Sequence, residues 1–293
     1  MNHTIKASEL ITNPDGSIFH LHLHPEELAD LVLLVGDPGR VEMIAAHFDT
    51  VEVKRRNREF FTITGYYRNN RISVISTGIG TDNIDIVLNE LDALANIDLR
   101  TRKIKPEIQY LRIVRIGTSG SLQPNVPIGS YVISEISIGM DGVLHFYKNN
   151  EKARIPMIES SFVRQCEWIP EAARPYAVAS SPRLVECLHD SEKTIKGITL
   201  TANGFYGPQG RALRLPIQME DINDRIADFS LQEMRIINYE MESAAIAGLS
   251  AMLGHHAVTI CLVIANRANG DALPDYQSEM AQLITYTLNQ LTQ

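Results

Sequence analysis

The sequence predicts a layered α/β fold around a largely buried β-sheet, and three observations carry that expectation. Apolar β-type runs recur along the chain, segments of helical spacing fall between them, and no tandem repeat, low-complexity linker or domain boundary interrupts the alternation. Residues 31–36, 60–67, 71–77, 111–117, 130–134, 196–202 and 257–265 read as strands. Helical spacing appears in RVEMIAAHF after Gly39, over 83–97, over 240–253 and in the C-terminal YQSEMAQLITYTLNQL. The polar stretch LRTRKIKPEIQY, 99–110, reads as a surface excursion between a helix and the next strand.

Composition narrows the setting. A chain of 293 residues can bury a sizeable core, and 44% hydrophobic with 21% charged residues is ordinary for a soluble globular protein. With 27 Lys and Arg against 35 Asp and Glu the net charge is −8, which argues against a broad basic surface for nucleic acid. An anionic ligand must then be met by a local cluster of arginines. The first residues, MNHTIKASEL, lack the apolar core of a signal peptide, and no run of about 18 apolar residues suggests a membrane span. Cys166, Cys187 and Cys261 are odd in number and far apart, which fits reduced thiols in a cytoplasm.

Three segments point to phosphate or sugar chemistry. In VGDPGR an apolar strand runs through Gly36 into a helix start at Arg40; this suits an anion held by backbone N–H groups and a guanidinium, and equally an ordinary strand-to-helix turn. In VRIGTSGSL, Arg115 lies within an apolar strand, where an unpaired cation is costly, so it must meet an acid or an anionic ligand; Thr118 follows as a hydroxyl donor. In NYEMESAA, Glu240 and Glu242 flank Met241: Glu240 suits the dipole of a helix N-terminus, and Glu242, beside small residues, suits a vicinal diol. A fourth segment, GFYGPQGR (204–211), sets Gln209 and Arg211 in a frame of glycines that excludes helix and regular strand.

Taken in order, GDPGR, NREF, STGIG, RIGTSG, GFYGPQGR and NYEMESA resemble the motifs of the nucleoside phosphorylases, and among these the uridine phosphorylases most closely, from residue 19 to about 290. The resemblance implies one domain over 1–293, with a central mixed β-sheet flanked by helices. It implies a pentosyltransferase that splits uridine with inorganic phosphate, with deoxyuridine and thymidine left open as further substrates, in pyrimidine salvage. No cofactor is implied beyond phosphate as co-substrate.

The same resemblance assigns residues. Phosphate falls to Gly36, Arg40, Arg115 and Thr118, with Arg58 reaching across from a neighbouring subunit. Ribose falls to Met241 and Glu242, with His20 of the neighbour at the 5′-hydroxyl; the base falls to Phe205, Gln209 and Arg211. Arg115, Arg211 and Glu242 carry the chemistry. A homodimer or an assembly of dimers with shared active sites follows, acting on a nucleoside and phosphate with no nucleic-acid or membrane partner.

Two departures stand out. The link before LRIVRIG is longer than in the familiar bacterial enzymes, and GIGTDN stands where they read GIGGPS. A monovalent cation held in some relatives would here meet Glu59, the Ile79 carbonyl and Asn83 in place of a serine. The histidines of FHLHLH would share one face of an extended strand, a geometry a metal could use, yet no companion Cys or His cluster supports one. Rival readings are a purine nucleoside phosphorylase or a nucleosidase of the same fold, or a non-catalytic nucleoside-binding protein. Against the purine reading, CLVIANRANG offers Asn266 and Arg267 after the late strand and no acid before Asp271.

Overall fold

Five consecutive buried side chains can be accommodated only where both faces of a strand are covered, and Leu31–Val35 forms such a strand, β1, inside the sheet. The computed structural model describes residues 4–293. After β1 come α1 (Pro38–Ala45), β2 (Thr50–Asn57), β3 (Phe60–Tyr67), β4 (Asn70–Ser76) and α2 (Thr81–Asn96). The short β5 (Ile97–Asp98) and β6 (Lys103–Ile104) lead to β7 (Arg112–Ser121) and β8 (Tyr131–Gly139). Then follow α3 (Pro156–Gln165), β9 (Tyr176–Ala179), α4 (Pro182–Leu188), β10 (Thr194–Thr201), α5 (Ile222–Asp228) and β11 (Ser230–Leu231). The chain ends through β12 (Met234–Glu240), α6 (Ser243–Leu253), β13 (His256–Asn266), β14 (Asp271–Ala272) and α7 (Gln277–Leu291).

The main sheet is mixed and flanked by helices, as expected, with the order β11-β12-β10-β8-β13-β7-β1-β4-β3-β2. Alternation along β1 assigns the layers. Val32 and Leu34 face α2 and α6 through Ile84, Leu88, Leu91 and Ile246, whereas Leu31, Leu33 and Val35 face α1, α4 and α7 through Ile44, Leu188 and Leu283. One half of the sheet also closes on itself. The end of β12 pairs with the end of β7, Asn238 with Ser121 and Tyr239 with Gly120, so β7, β13, β8, β10 and β12 form a ring. The ends of β1, β7 and β12 thereby meet at one rim, the usual place for a ligand in such sheets.

All seven expected strands are present, and the differences have local causes. β12 was not expected: its MRIINYE carries a central Asn238, which is buried because its side-chain oxygen accepts from Thr199 at 2.8 Å. The helix expected over 240–253 consequently begins only at Ser243. β2 is almost wholly exposed and charged, and is held as an outer strand by its antiparallel pairing with β3. FHLHLH is a turn rather than a strand: His22 has φ 54°, its N–H reaches Ile18 O at 3.1 Å, and its ring pairs with Asp15. The three histidines therefore do not share a face. Residues 99–110 do form a surface excursion: it begins with the turn between the two-residue strands β5 and β6, and Lys105 folds back to donate to Leu94 O and Ala95 O at the carbonyl end of α2.

All three cysteines are free thiols, with Cys166 and Cys261 buried and Cys187 half-buried. Burial pushes the Cys166 and Cys261 thiols up to about 12, so neither forms the reactive thiolate near neutrality. Folded protein at pH 8 should therefore titrate with a colorimetric thiol reagent at no more than one position, Cys187, and at all three after denaturation. Rapid labelling of Cys166 or Cys261 in the folded protein, read by peptide mapping, would contradict this packing.

Candidate active site

A cavity of about 550 Å³ opens at the rim where the strands meet. Its wall brings together Gly36, Arg40, Arg115, Thr118, Phe205, Gln209, Arg211, Met241 and Glu242, segments that lie far apart in the sequence. A larger hollow of about 840 Å³ lies behind the 204–211 loop, but of the expected site residues only Arg211 borders it. The chemistry therefore belongs to the smaller cavity.

Arg115 forms the floor. It is 5% exposed, and it meets two carboxylates at once: Nη2 pairs with Glu242 Oε2, and Nη1 lies 3.5 Å from Glu240 Oε2. Burial lowers its proton affinity, but Glu242 and then Glu240 more than offset that and hold it above the ordinary arginine value. Glu242 is pushed above the ordinary carboxylate range, first by burial and further by Glu240, with Arg115 opposing. Two acids around one guanidinium thus raise Arg115, while burial, only partly opposed by that guanidinium, raises Glu242. Gly117 makes this fold-back possible, since a β-carbon there would overlap Arg115 Nη1 and press on Cys261 Sγ at 3.1 Å.

The two acids divide their work by geometry. Glu240 ends β12 and turns into the protein: it accepts from Thr201 Oγ1 at 2.6 Å, from the N–H of Glu242 at 2.9 Å and from the N–H of Ser243 at 2.8 Å. It is the anchor of the α6 N-terminus, as its position beside a helix start suggested. Both acids border the cavity, but Glu242 has fewer protein partners, with Oε1 accepting from Gly80 N at 2.8 Å. Gly80 holds φ 98°, which a side chain would strain, so the STGIG segment supplies a backbone donor that only glycine presents easily.

Arg40 completes the anion side. It is buried at the start of α1, donates to Ile116 O at 3.2 Å, and is lowered from its ordinary value by burial and then by the neighbouring Arg115. Added negative charge would relieve both effects. Asp37 caps α1 through Gly39 N at 2.9 Å and so keeps the helix start open toward the cavity.

Opposite this floor, Gln209 is buried and its Oε1 accepts from Arg211 Nη1 at 2.6 Å and from Arg267 Nη2 at 3.1 Å. Arg267 also donates to Gln209 O and lies over the Tyr239 ring at 4.9 Å. Burial, with Arg211 next to it, pushes Arg267 down to about 10, so it remains a cation near neutrality. The Arg211 guanidinium covers a face of Phe205 at 3.9 Å, so a base stacked on Phe205 must use the other face or displace it. Arg267 was legible in the sequence only as the residue standing where an acid was missing; its signal, an arginine just beyond an apolar strand, is the one that exposed Arg115. The neighbouring Asn266 is structural, donating to Gln123 O and Val126 O at 3.0 and 2.9 Å.

His20 and Arg58 do not border the cavity. They lie together on the outside, Arg58 over the Phe19 ring at 5.8 Å and His20 edge-on to the same ring at 4.9 Å. Glu59 and Asn83 both border the Cβ position of Gly78, next to Ile79 in the chain, so the three expected cation ligands share one locality. Among the described residues, no group of three or more His, Cys, Asp or Glu is placed to hold a metal ion, and no helix is long and apolar enough to cross a membrane.

Known proteins resemble this chain over nearly its whole length. The uridine phosphorylase of Thermococcus kodakarensis is 28% identical over 271 residues, covering 90% of this chain and 83% of that protein. The uridine phosphorylase of Escherichia coli is 27% identical over 291 residues, covering 94% and 98%. A Trypanosoma brucei nucleoside phosphorylase that shows uridine phosphorylase activity has a TM-score of 0.86 and 29% identity, covering 96% of this chain and 99% of that one. The family model described as the phosphorylase superfamily matches residues 30–289, which takes in β1, the whole cavity wall and nearly all of α7, and the chain belongs to that superfamily.

Proposed function

We propose that the chain, working as one domain, is a pentosyltransferase that cleaves uridine with inorganic phosphate to uracil and ribose 1-phosphate. The observation that carries this reading is the convergence on one cavity of Arg40 and Arg115, of Glu242, and of the Gln209–Arg211 pair, each group suited to one part of the substrates. Phosphate would lie against Gly36, Arg40, Arg115 and Thr118. The ribose would rest on Met241 with its 2′- and 3′-hydroxyls donating to Glu242, and the pyrimidine would face Gln209 and Arg211, with Arg267 behind Gln209.

Charge favours a second subunit. Arg40 and Arg115 are balanced within this chain by Glu240 and Glu242, so a phosphate dianion calls for further cations. Arg58, exposed at the tip between β2 and β3 beside His20, fits that need if it enters the site of a neighbour, which makes a homodimer or an assembly of dimers the working unit. A monovalent cation shared by Glu59, the Ile79 carbonyl and Asn83 is a finer part of the same reading. Free thiols suit a cytoplasmic salvage enzyme.

In the reaction, phosphate held close to C1′ attacks from the face opposite the base as the ribose gains oxocarbenium character and the base gains negative charge. Arg211 and Arg267 stabilise that charge, and Gln209 Nε2 donates to a base carbonyl. An edge with two carbonyl acceptors, as in uracil or thymine, suits these donors; cytosine, which sets an amino donor in place of one carbonyl, mismatches them. A purine reading lacks an acid after β13: Asn266 is occupied structurally, and Asp271 lies exposed on β14.

Three outcomes test the reading. Release of the free base, uracil from uridine or deoxyuridine and thymine from thymidine, should require phosphate or arsenate. Arg115→Ala should cut kcat/KM for phosphate by roughly ten- to a hundred-fold or more, the scale of a lost charged contact, and Gly117→Ala should imitate it by dislodging the same guanidinium. Equal uracil release in phosphate-free buffer would overturn the assignment.

Mixing Arg58→Ala chains with Glu242→Ala chains should restore activity, because one mixed site then contains neither substitution. Demonstrably mixed dimers that stay inactive would remove Arg58 from the neighbour's site.

Arg211→Ala and Arg267→Ala should each lower kcat on uridine while leaving phosphate affinity close to that of the parent, with Arg211 the more damaging. Steady-state kinetics with varied phosphate separates the two effects, and preference of the parent enzyme for inosine or cytidine over uridine would refute the assigned base edge.

A further inference from the structure

One carboxylate grips His20 from three directions. Glu90, midway along α2, accepts from the His20 backbone N–H at 3.0 and 3.1 Å, from the Leu21 N–H at 2.8 Å, and from Nδ1 of the His20 ring at 2.7 Å. Asn57 Nδ2 donates to His20 O at 2.8 Å, and the ring stands edge-on to Phe19 at 4.9 Å and to Phe60 at 6.2 Å. The imidazole is thus fixed in position, in tilt and on one of its nitrogens. Its other nitrogen, Nε2, has no protein partner among the described residues.

The chemistry of the pair sets what Nε2 can do. A carboxylate only accepts, so the proton of a neutral imidazole must sit on Nδ1, which leaves Nε2 as an acceptor. A hydroxyl approaching His20 is therefore met by a lone pair in a fixed direction. The two backbone bonds would be enough to hold the 18–23 turn; the ring contact does something more.

We propose that Glu90 is the positioning residue of the ribose 5′-hydroxyl subsite: through Nδ1 it fixes the tautomer and aim of His20, whose Nε2 accepts from the 5′-hydroxyl in the neighbouring subunit's cavity. This rests on uridine phosphorolysis with His20 at the sugar. Glu90 touches neither substrate, and its effect passes wholly through the imidazole.

The full-length enzyme tests this with two substrates, uridine and 5′-deoxyuridine, which lacks only the hydroxyl in question. Glu90→Gln and Glu90→Ala should lower kcat/KM for uridine on the order of ten-fold and leave 5′-deoxyuridine unchanged; His20→Ala should do the same, and the double variant should be no worse than His20→Ala alone. Nitrogen-15 shifts of the His20 ring should show Nδ1 protonated in the parent and a mixed tautomer in Glu90→Gln. That spectrum also judges the proposal if Glu90→Ala fails to fold.

Equal losses on both substrates, an unchanged tautomer in Glu90→Gln, or a sensitive His20 with a silent Glu90 would each overturn the proposal while leaving phosphorolysis intact. A parent enzyme that handles both substrates alike would remove His20 from the sugar and the proposal with it. Absence of any phosphate-dependent cleavage of uridine would instead sink the functional reading itself.

Discussion

A guanidinium placed inside a β-strand under a nearly complete cover of protein is the constraint on which this structure turns. Arg115 can exist there only because β12 closes against β7 and delivers Glu240 and Glu242 to it. Removing either acid would leave a buried cation short of charge, a disturbance that commonly destabilises a protein by about 3–5 kcal/mol. The closure of the ring, the start of α6 and the floor of the cavity are therefore one electrostatic unit.

The unit is asymmetric in a useful way. Glu240 is saturated by Thr201, Ser243 and backbone N–H groups and belongs to the scaffold. Glu242 has fewer partners, Gly80 and Arg115, and burial already disfavours its charge. Donors that reach it are correspondingly strengthened by the low local dielectric. Two glutamates one residue apart at a strand-to-helix junction thus acquire different tasks from the direction each side chain takes.

Much of this was legible in the sequence, for physical reasons that differ by residue. Strands such as LVLLVG announce themselves because burial on both faces leaves no polar position, and Arg115 stands out because an arginine in such a run needs an explanation. β12 and β2 were not legible: the first hides a buried asparagine whose partner, Thr199, lies on another strand, and the second is charged because it is an outer strand. The alternating FHLHLH imitates a strand, but Asp15 and Glu90, distant from it in different senses, fold it into a turn. Glu90 gives no local signal, since it is defined by what it touches, His20 across 70 residues, and the local signal of Arg267 does not disclose its partner Gln209, 58 residues away.

The pairing of β7 with β12 has a consequence for how the molecule comes into being. It joins Gly120 to Tyr239, and the strand lying against the other edge of β7, β13, runs to Asn266. Contacts so remote in the chain form late, because the entropy of closing the intervening loop must be overcome before they give any return. A nascent chain still lacking its last quarter has Gly36, Arg40 and Arg115 but neither acid to keep the last of them in place. The floor of the cavity can therefore take its folded arrangement only once β12 has joined the ring.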